Sequence, residues 1–142
     1  FTFNHYYPGW QVPLIVSASG QAFLAHANAD LRQNLIAYLE SHGSEGEIAT
    51  LRAFVQRGEM ERIRARGYAT AARNAYSASP RRTSSVAVPV LEDGQLYGAL
   101  TMVFFAAAMP LNRPVERFVP ALQATASAIG ADMAAAEKSV QG

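Results

Sequence analysis

The stretch from Thr83 to Met109, TSSVAVPVLEDGQLYGALTMVFFAAAM, constrains the fold more than any other part of the chain. Thr83–Leu91 and Leu96–Phe105 are rich in Val, Thr, Tyr and Phe, and Asp93-Gly94 between them is a turn signal, so the stretch reads as a β-hairpin. Two registers compete. A two-residue Asp-Gly loop sets Ser85 opposite Met102 and mixes large and small residues on both faces. A three-residue loop, Glu92-Asp93-Gly94 with Gly94 left-handed, sets Ser85 opposite Thr101 and sorts bulk more cleanly, so it is preferred. Val86, Val88, Val90, Leu96, Leu100, Met102 and Phe104 then share one face, which reads as core. Ser85, Ala87, Pro89, Ala99, Thr101 and Val103 share the other, with Tyr97 and Phe105 at its ends. That face is small and mildly polar in its middle, as the floor of a pocket would be. Pro89 has no N–H to give to a ladder, so it belongs at an edge or a bulge.

The rest of the chain sets the class. Its 142 residues, half of them hydrophobic, suffice for one domain with a real core. A net charge of +1 steers it toward neither nucleic acid nor an acidic surface. With no cysteine there is no disulfide framework, thiol nucleophile or thiolate metal site, and a reducing cytoplasm is the expected compartment. The longest apolar run, Tyr97 to Leu111, is shorter than the roughly 20 residues a spanning helix needs, so no membrane role is expected. The chain starts with Phe rather than Met, which reads as a fragment of a longer protein.

In chain order, Phe1–Tyr7 is β-like and Trp10–Val16 extended or looped around Pro13. Ser17 or Ser19 caps a helix through Ala22–Ala25, and Asn28 or Asp30 caps the next, whose stripe is Leu31, Leu35, Ile36 and Leu39. His42-Gly43-Ser44 stops it. Glu45–Arg66 reads as one charged helix with weak points at Gly46 and Gly58, a stripe of Ile48, Leu51, Val55, Met60 and Ile63, and Gly67 as C-cap. Tyr68–Asn74 is a candidate strand and Ala75–Arg82 a polar loop. After the hairpin comes a helix with Asn112 near its start, Pro114 in its first turn and a stripe of Val115, Phe118, Val119, Leu122, Ala126, Ile129 and Met133; its Ala-rich tail is expected to fray. The order strand, helices, strands, helix predicts an α+β domain with a mainly antiparallel sheet.

Several pieces in order, GWQVPL at Gly9–Leu14, SASGQAFLAH at Ser17–His26, IRARGYA at Ile63–Ala69, and SSVAVPV with its following DG and YGALT, resemble the effector-binding domain of the isocitrate lyase regulator (IclR) family of bacterial transcription factors. The resemblance spans nearly the whole chain. It implies a GAF-like domain, a sheet with helices on its faces and a ligand pocket on one side. It also implies that residues 1–142 form a ligand-sensing domain lacking its first strands, with a winged helix-turn-helix N-terminal to it that alone touches DNA. Homodimers or tetramers are implied as well. FTFNHYYPGWQVP and FFAAAMPLNRPVERFVPALQATA are similar to one subgroup, activators of 3-hydroxyphenylpropionate catabolism, which implies an aromatic carboxylate as effector.

The family binds its acid near the start of the helix after the VPL-like segment, here Ser17, Ala18, Ser19 and Gly20. It also uses the residue before the VAVPV-like core, here Ser85, and alternate residues on the next strand, here Thr101 and Val103, with Phe105 beyond them. Where small-acid members carry a second serine this chain has Val103, and where they carry an acid after the GY motif it has Ala71 and Ala72, which points to a larger, more apolar ligand. A helix N-terminus offers free N–H groups and partial positive charge to a carboxylate; the alternative is that the serines are ordinary caps. Ser85 and Thr101 either bond a ligand or pair across the sheet. Phe23, Tyr68, Tyr97, Phe105 and Met109 either enclose an aromatic ring or are plain core. Arg81 and Arg82 either reach a carboxylate or are solvated. His5, His26 and His42 lack zinc spacing, no GxSxG elbow is present, and neither an enzyme nor a cofactor is expected. The competing reading is a GAF-like interaction module with no effector.

Overall fold

The computed structural model describes residues 13–75 and 80–142, so the strand expected at 1–7, His5 and Trp10 lie outside the described residues. Five helices and three strands follow in the order α1 (Ala18–His26), α2 (Ala29–His42), α3 (Glu45–Gln56), α4 (Glu59–Arg66), β1 (Ala69–Ala71), β2 (Thr83–Glu92), β3 (Gln95–Phe105) and α5 (Asn112–Gln141) among the described residues. The strands form one antiparallel sheet in the order β1-β2-β3, the expected α+β class.

The hairpin closes through the two-residue loop Asp93-Gly94, both with positive φ (49° and 78°), which is the signature of a type I′ turn. The three-residue loop is therefore overturned. Glu92 faces Gln95 and Leu91 faces Leu96, and then the register slips at Val90/Leu91 so that Val90 faces Gly98. Tyr97 is the extra residue of this bulge. Below it Ser85 lies opposite Val103 and Ala87 opposite Thr101, not Ser85 opposite Thr101. Because the bulge restores parity, Val86, Val88, Val90, Leu100, Met102 and Phe104 still share a face, and they pack with Val119 and Ala126 of α5. Tyr97 changes sides: it joins the α5 cluster, and its hydroxyl donates to Glu137 Oε2 at 2.9 Å. Pro89 sits one step below the bulge and, among the described residues, beyond the last β1–β2 pair, Ala69–Ala87, where its missing N–H breaks no bond to β1.

The opposite face carries α1. Ala18, Ala22 and Ala25 pack with Ala69, Ala71, Ala87 and Ala99, so small side chains on both partners let helix and sheet approach closely. The helix starts where expected: the Ser17 Oγ accepts from the Gly20 N–H at 3.0 Å, and Asn28 caps α2 by accepting from Leu31 at 2.8 Å.

Expectations about the helices and about the strand at Tyr68–Asn74 are corrected in several places. Glu45–Arg66 is not one helix, because Gly58 adopts φ 68° and separates α3 from α4. Phe54, not Val55, enters the core beside Leu51, and Val55 is exposed; the break at Gly58 frees α3 to rotate its own face inward. α2 buries no residue fully: Leu35, Ile36 and Leu39 pack on the core's margin and Leu31 is exposed. The strand expected at Tyr68–Asn74 contracts to Ala69–Ala71, ended by Arg73 in the left-handed region at φ 44°. α5 runs to Gln141, its C-terminal turns helical though exposed, and of its expected stripe Met133 is exposed while Gly130 is buried.

Candidate functional site

The register assembles the predicted site residues into rows. β1 pairs Ala71 with Ser85 and Ala69 with Ala87, and β3 pairs Val103 with Ser85 and Thr101 with Ala87. Ala71, Ser85 and Val103 thus form one row across three strands, and Ala69, Ala87 and Thr101 the next. Strands lie about 4.8 Å apart, so one row spans about 10 Å, the length of a substituted aromatic acid. Phe105, opposite Thr83, is the next residue of β3 on this face and ends the strand.

Ser85 is 8% exposed, and among the described residues its hydroxyl has no hydrogen-bond partner. Among the described residues no side-chain oxygen shut off from solvent lacks a partner, so the Ser85 hydroxyl stays within reach of water or a ligand. Its neighbour Ser84 points to the other face and accepts from the Arg73 N–H at 3.1 Å. Ala71 and Val103 flank Ser85 with apolar surface, so the row offers one hydroxyl between two hydrophobic walls.

The start of α1 supplies the other polar element. Ser17 is buried and its Oγ, taken up by the Gly20 N–H, also accepts from the Ser19 hydroxyl at 3.4 Å, so Ser17 acts as a cap. Gln21 N–H bonds the Ser17 carbonyl, which leaves the amides of Ala18 and Ser19 without a protein acceptor among the described residues. Those two N–H groups are what the helix can offer an anion. Ala18 itself is core. Gly20 is required by the chain: a Cβ there would lie 1.9 Å from the Leu14 carbonyl oxygen, so the turn before α1 folds directly onto it.

Other candidates fall elsewhere. Tyr68, Tyr97 and Met109 pack with the α5 cluster on the opposite side of the sheet, so they cannot enclose a ligand on the small face; the bulge at Tyr97 is the reason for that residue. Arg66 lies over the Tyr68 ring at 4.8 Å and donates from Nε to the Tyr68 carbonyl at 2.8 Å. His26 is half-buried; its Nδ1 donates to the Ala22 carbonyl at 2.8 Å, and burial lowers its pKa. His42 is exposed, bonded to the Tyr38 carbonyl and stacked on the Tyr38 ring. Among the described residues no group of His, Asp and Glu could hold a metal, and no helix is long and apolar enough to cross a membrane. Sequence reading weighed Arg81 and Arg82 only as a loop pair; the fold adds Arg73, and the three line one cavity with Phe105.

Residues 5–131 match the family described as bacterial transcriptional regulator IclR, C-terminal. The chain belongs to this family of GAF-like effector-binding domains of transcription regulators, which is not a family of enzymes. Solved structures agree in fold. An IclR family transcriptional regulator from Brucella abortus is 22% identical, with TM-score 0.67 over 89% of this chain and 46% of that one. The C-terminal domain of the E. coli regulator KdgR is 20% identical, with TM-score 0.63 over 88% and 73%. The inducer-binding domain of PobR from Acinetobacter, solved as a double mutant with 3-hydroxybenzoic acid, is 15% identical, with TM-score 0.62 over 92% and 77%. The chain spans about half the length of longer relatives, 52% of a Rhodococcus sp. RHA1 regulator and 46% of the Brucella one.

Proposed function

We propose that this domain senses an aromatic carboxylic acid and, as part of a longer regulator, couples its binding to transcription of a catabolic operon. The observation that carries the reading is the unpartnered Ser85 hydroxyl between Ala71 and Val103, a polar point in an apolar row about 10 Å long. The carboxylate takes the free amides of Ala18 and Ser19, where the partial positive charge of the helix start favours an anion. Ser85 or Thr101 bonds a ring hydroxyl or the second carboxylate oxygen, and Val103 with Phe105 lines the ring. PobR, a structural neighbour, was solved with 3-hydroxybenzoic acid, which lends support to an aromatic effector here. The likeness of Phe104–Ala126 to activators of 3-hydroxyphenylpropionate catabolism points the same way.

Binding shifts the arrangement of domains in a homodimer or tetramer, and through an N-terminal DNA-binding domain the occupancy of an operator in the cytoplasm. The effector does this only by its difference in affinity between arrangements. Thermal-shift titration with benzoate- and phenylpropionate-type acids against glyoxylate and pyruvate tests the reading. A ligand bound only by the folded state stabilises it by about 2.7 kcal/mol at a hundred times its Kd. Selective stabilisation by aromatic acids is expected. Stabilisation by glyoxylate or pyruvate alone refutes the aromatic effector, and no shift with any acid favours an interaction module.

A further inference from the structure

Beyond the Ser85 row, at the end of the hairpin away from its turn, a cavity of about 620 Å³ is lined by Arg73, Arg81, Arg82, Phe105, Ala107 and Ala108. Its size is in the range of small-molecule sites, roughly 300–1,000 Å³. Its lining is almost entirely apolar, and three arginines stand among the residues around it. The ion pairs among the described residues are Arg62–Glu59 and Arg64–Glu61, so none of these three arginines has a carboxylate partner there.

The backbone holds the three stems together. The Arg73 N–H donates to Ser84 Oγ at 3.1 Å, the Arg81 N–H to the Asn74 carbonyl at 3.0 Å, and the Ala106 N–H to the Arg82 carbonyl at 2.8 Å. Arg73 and Arg81 both sit in the left-handed region, at φ 44° and 61°. A side chain longer than glycine or asparagine adopts that conformation only where the surroundings enforce it. A solvated arginine patch needs no such clasp, and it needs no apolar cavity at its centre.

We infer that this cavity is a second binding site, for an organic anion with an apolar body, whose acid group is held by Arg73, Arg81 and Arg82 and whose body rests on Phe105, Ala107 and Ala108. Arginine presents a planar fork that matches a carboxylate or phosphate bidentately. The apolar floor distinguishes a small amphipathic anion from a polyanion, which would use the charges and leave the floor empty. The site does not depend on the Ser85 reading: its arginines and alanines lie outside that row, and the two share only Phe105.

The test is a residue-resolved NMR titration of the backbone amides with 3-phenylpropionate, with 3-phenylpropan-1-ol (the body without the charge) and acetate (the charge without the body) as controls. Saturable shifts of Ala107 and Ala108 with 3-phenylpropionate are expected, at least tenfold weaker with either control. The double variant Arg81→Gln/Arg82→Gln should weaken them at least tenfold, and Ser85→Leu should leave them unchanged. Shifts that vanish in Ser85→Leu but survive the arginine changes overturn the second site and assign the signal to the Ser85 row. Acetate or the alcohol binding as well as 3-phenylpropionate also overturns it, as does no saturable shift at Ala107 and Ala108. The comparison of the three probes on the unaltered chain needs no variant to fold.

Discussion

Ser85 stands directly opposite Val103 across the β2–β3 ladder, with Ala71 on its other side. The one hydroxyl of this row is therefore framed by apolar side chains, and its removal should be felt by a ligand more than by the fold. Ser85→Ala should weaken an aromatic acid by about 1–3 kcal/mol, the range for a hydrogen bond to a charged or buried partner, which is roughly 5- to 150-fold. Calorimetric titration reads the affinity, and the ligand-free Tm should change little. Ser85→Leu should abolish binding by filling the row. Equal affinity in both variants would remove Ser85 from the site.

Val103 offers a gain-of-polarity test on the same row. Val103→Ser places a second hydroxyl opposite Ser85 and removes apolar lining. It should shift preference away from aromatic acids toward small ones such as glyoxylate, measured as the ratio of the two Kd values. A ratio unchanged within error would show that this position does not line the ligand.

Two glycines should respond in opposite directions. Gly20→Ala drives a Cβ to 1.9 Å from the Leu14 carbonyl oxygen, a backbone atom that cannot swing aside. A loss of about 3 kcal/mol or more is expected from such overpacking. Gly46, in the first turn of α3, meets nothing within 4 Å, so Gly46→Ala should stabilise by about 0.5–1 kcal/mol through helix propensity and lower unfolded-state entropy. Urea midpoints with unchanged m values would check both.

His26 should make stability fall on mild acidification. Burial holds its pKa below the ordinary 6.5, with the Ala22 carbonyl bond opposing and the Arg64 charge adding to the lowering. Between the folded and unfolded pKa values the unfolded chain binds the proton and the fold does not, so protonation favours unfolding. The contribution is complete above about 6.5 and is lost as pH falls from there through the folded value. In His26→Gln, which cannot titrate, the difference in urea midpoint between neutral and mildly acidic buffer should shrink. An identical pH slope in both proteins would place the proton uptake elsewhere.

Much of the fold was legible residue by residue, because caps and turns are local chemistry. Gly67 as C-cap at φ 82° and the turn signal at Asp93-Gly94 each follow from one side chain and its near neighbours, while the structure chose Ser17 over Ser19 and Asn28 over Asp30 as N-caps and two loop residues over three. The sorting of Val86, Val88, Met102 and Phe104 to one face and Ser85, Ala87 and Thr101 to the other follows from the period of two along a strand. That is why the composition of each face was read correctly although the register was not.

Tertiary structure decided the rest. Gly98 inside the strand is the one local hint of a bulge, but where the register slips is set as a tight two-residue turn is reconciled with two packed faces, and the slip moves Tyr97 to the α5 side. Whether Val55 or Phe54 enters the core depended on how α3 is rotated ahead of the break at Gly58, and how much of the small face is covered depended on α1 laying Ala18, Ala22 and Ala25 on it. The grouping of Arg73 with Arg81 and Arg82 rests on β1 pairing with β2, which brings the two ends of the intervening loop together. The sequence by itself determined the elements, their ends and the identity of each strand face, since those depend on neighbours a few residues away. Only the packed structure decided register, helix rotation and which side chains meet at a site, since each is settled by competition among contacts far apart in the chain.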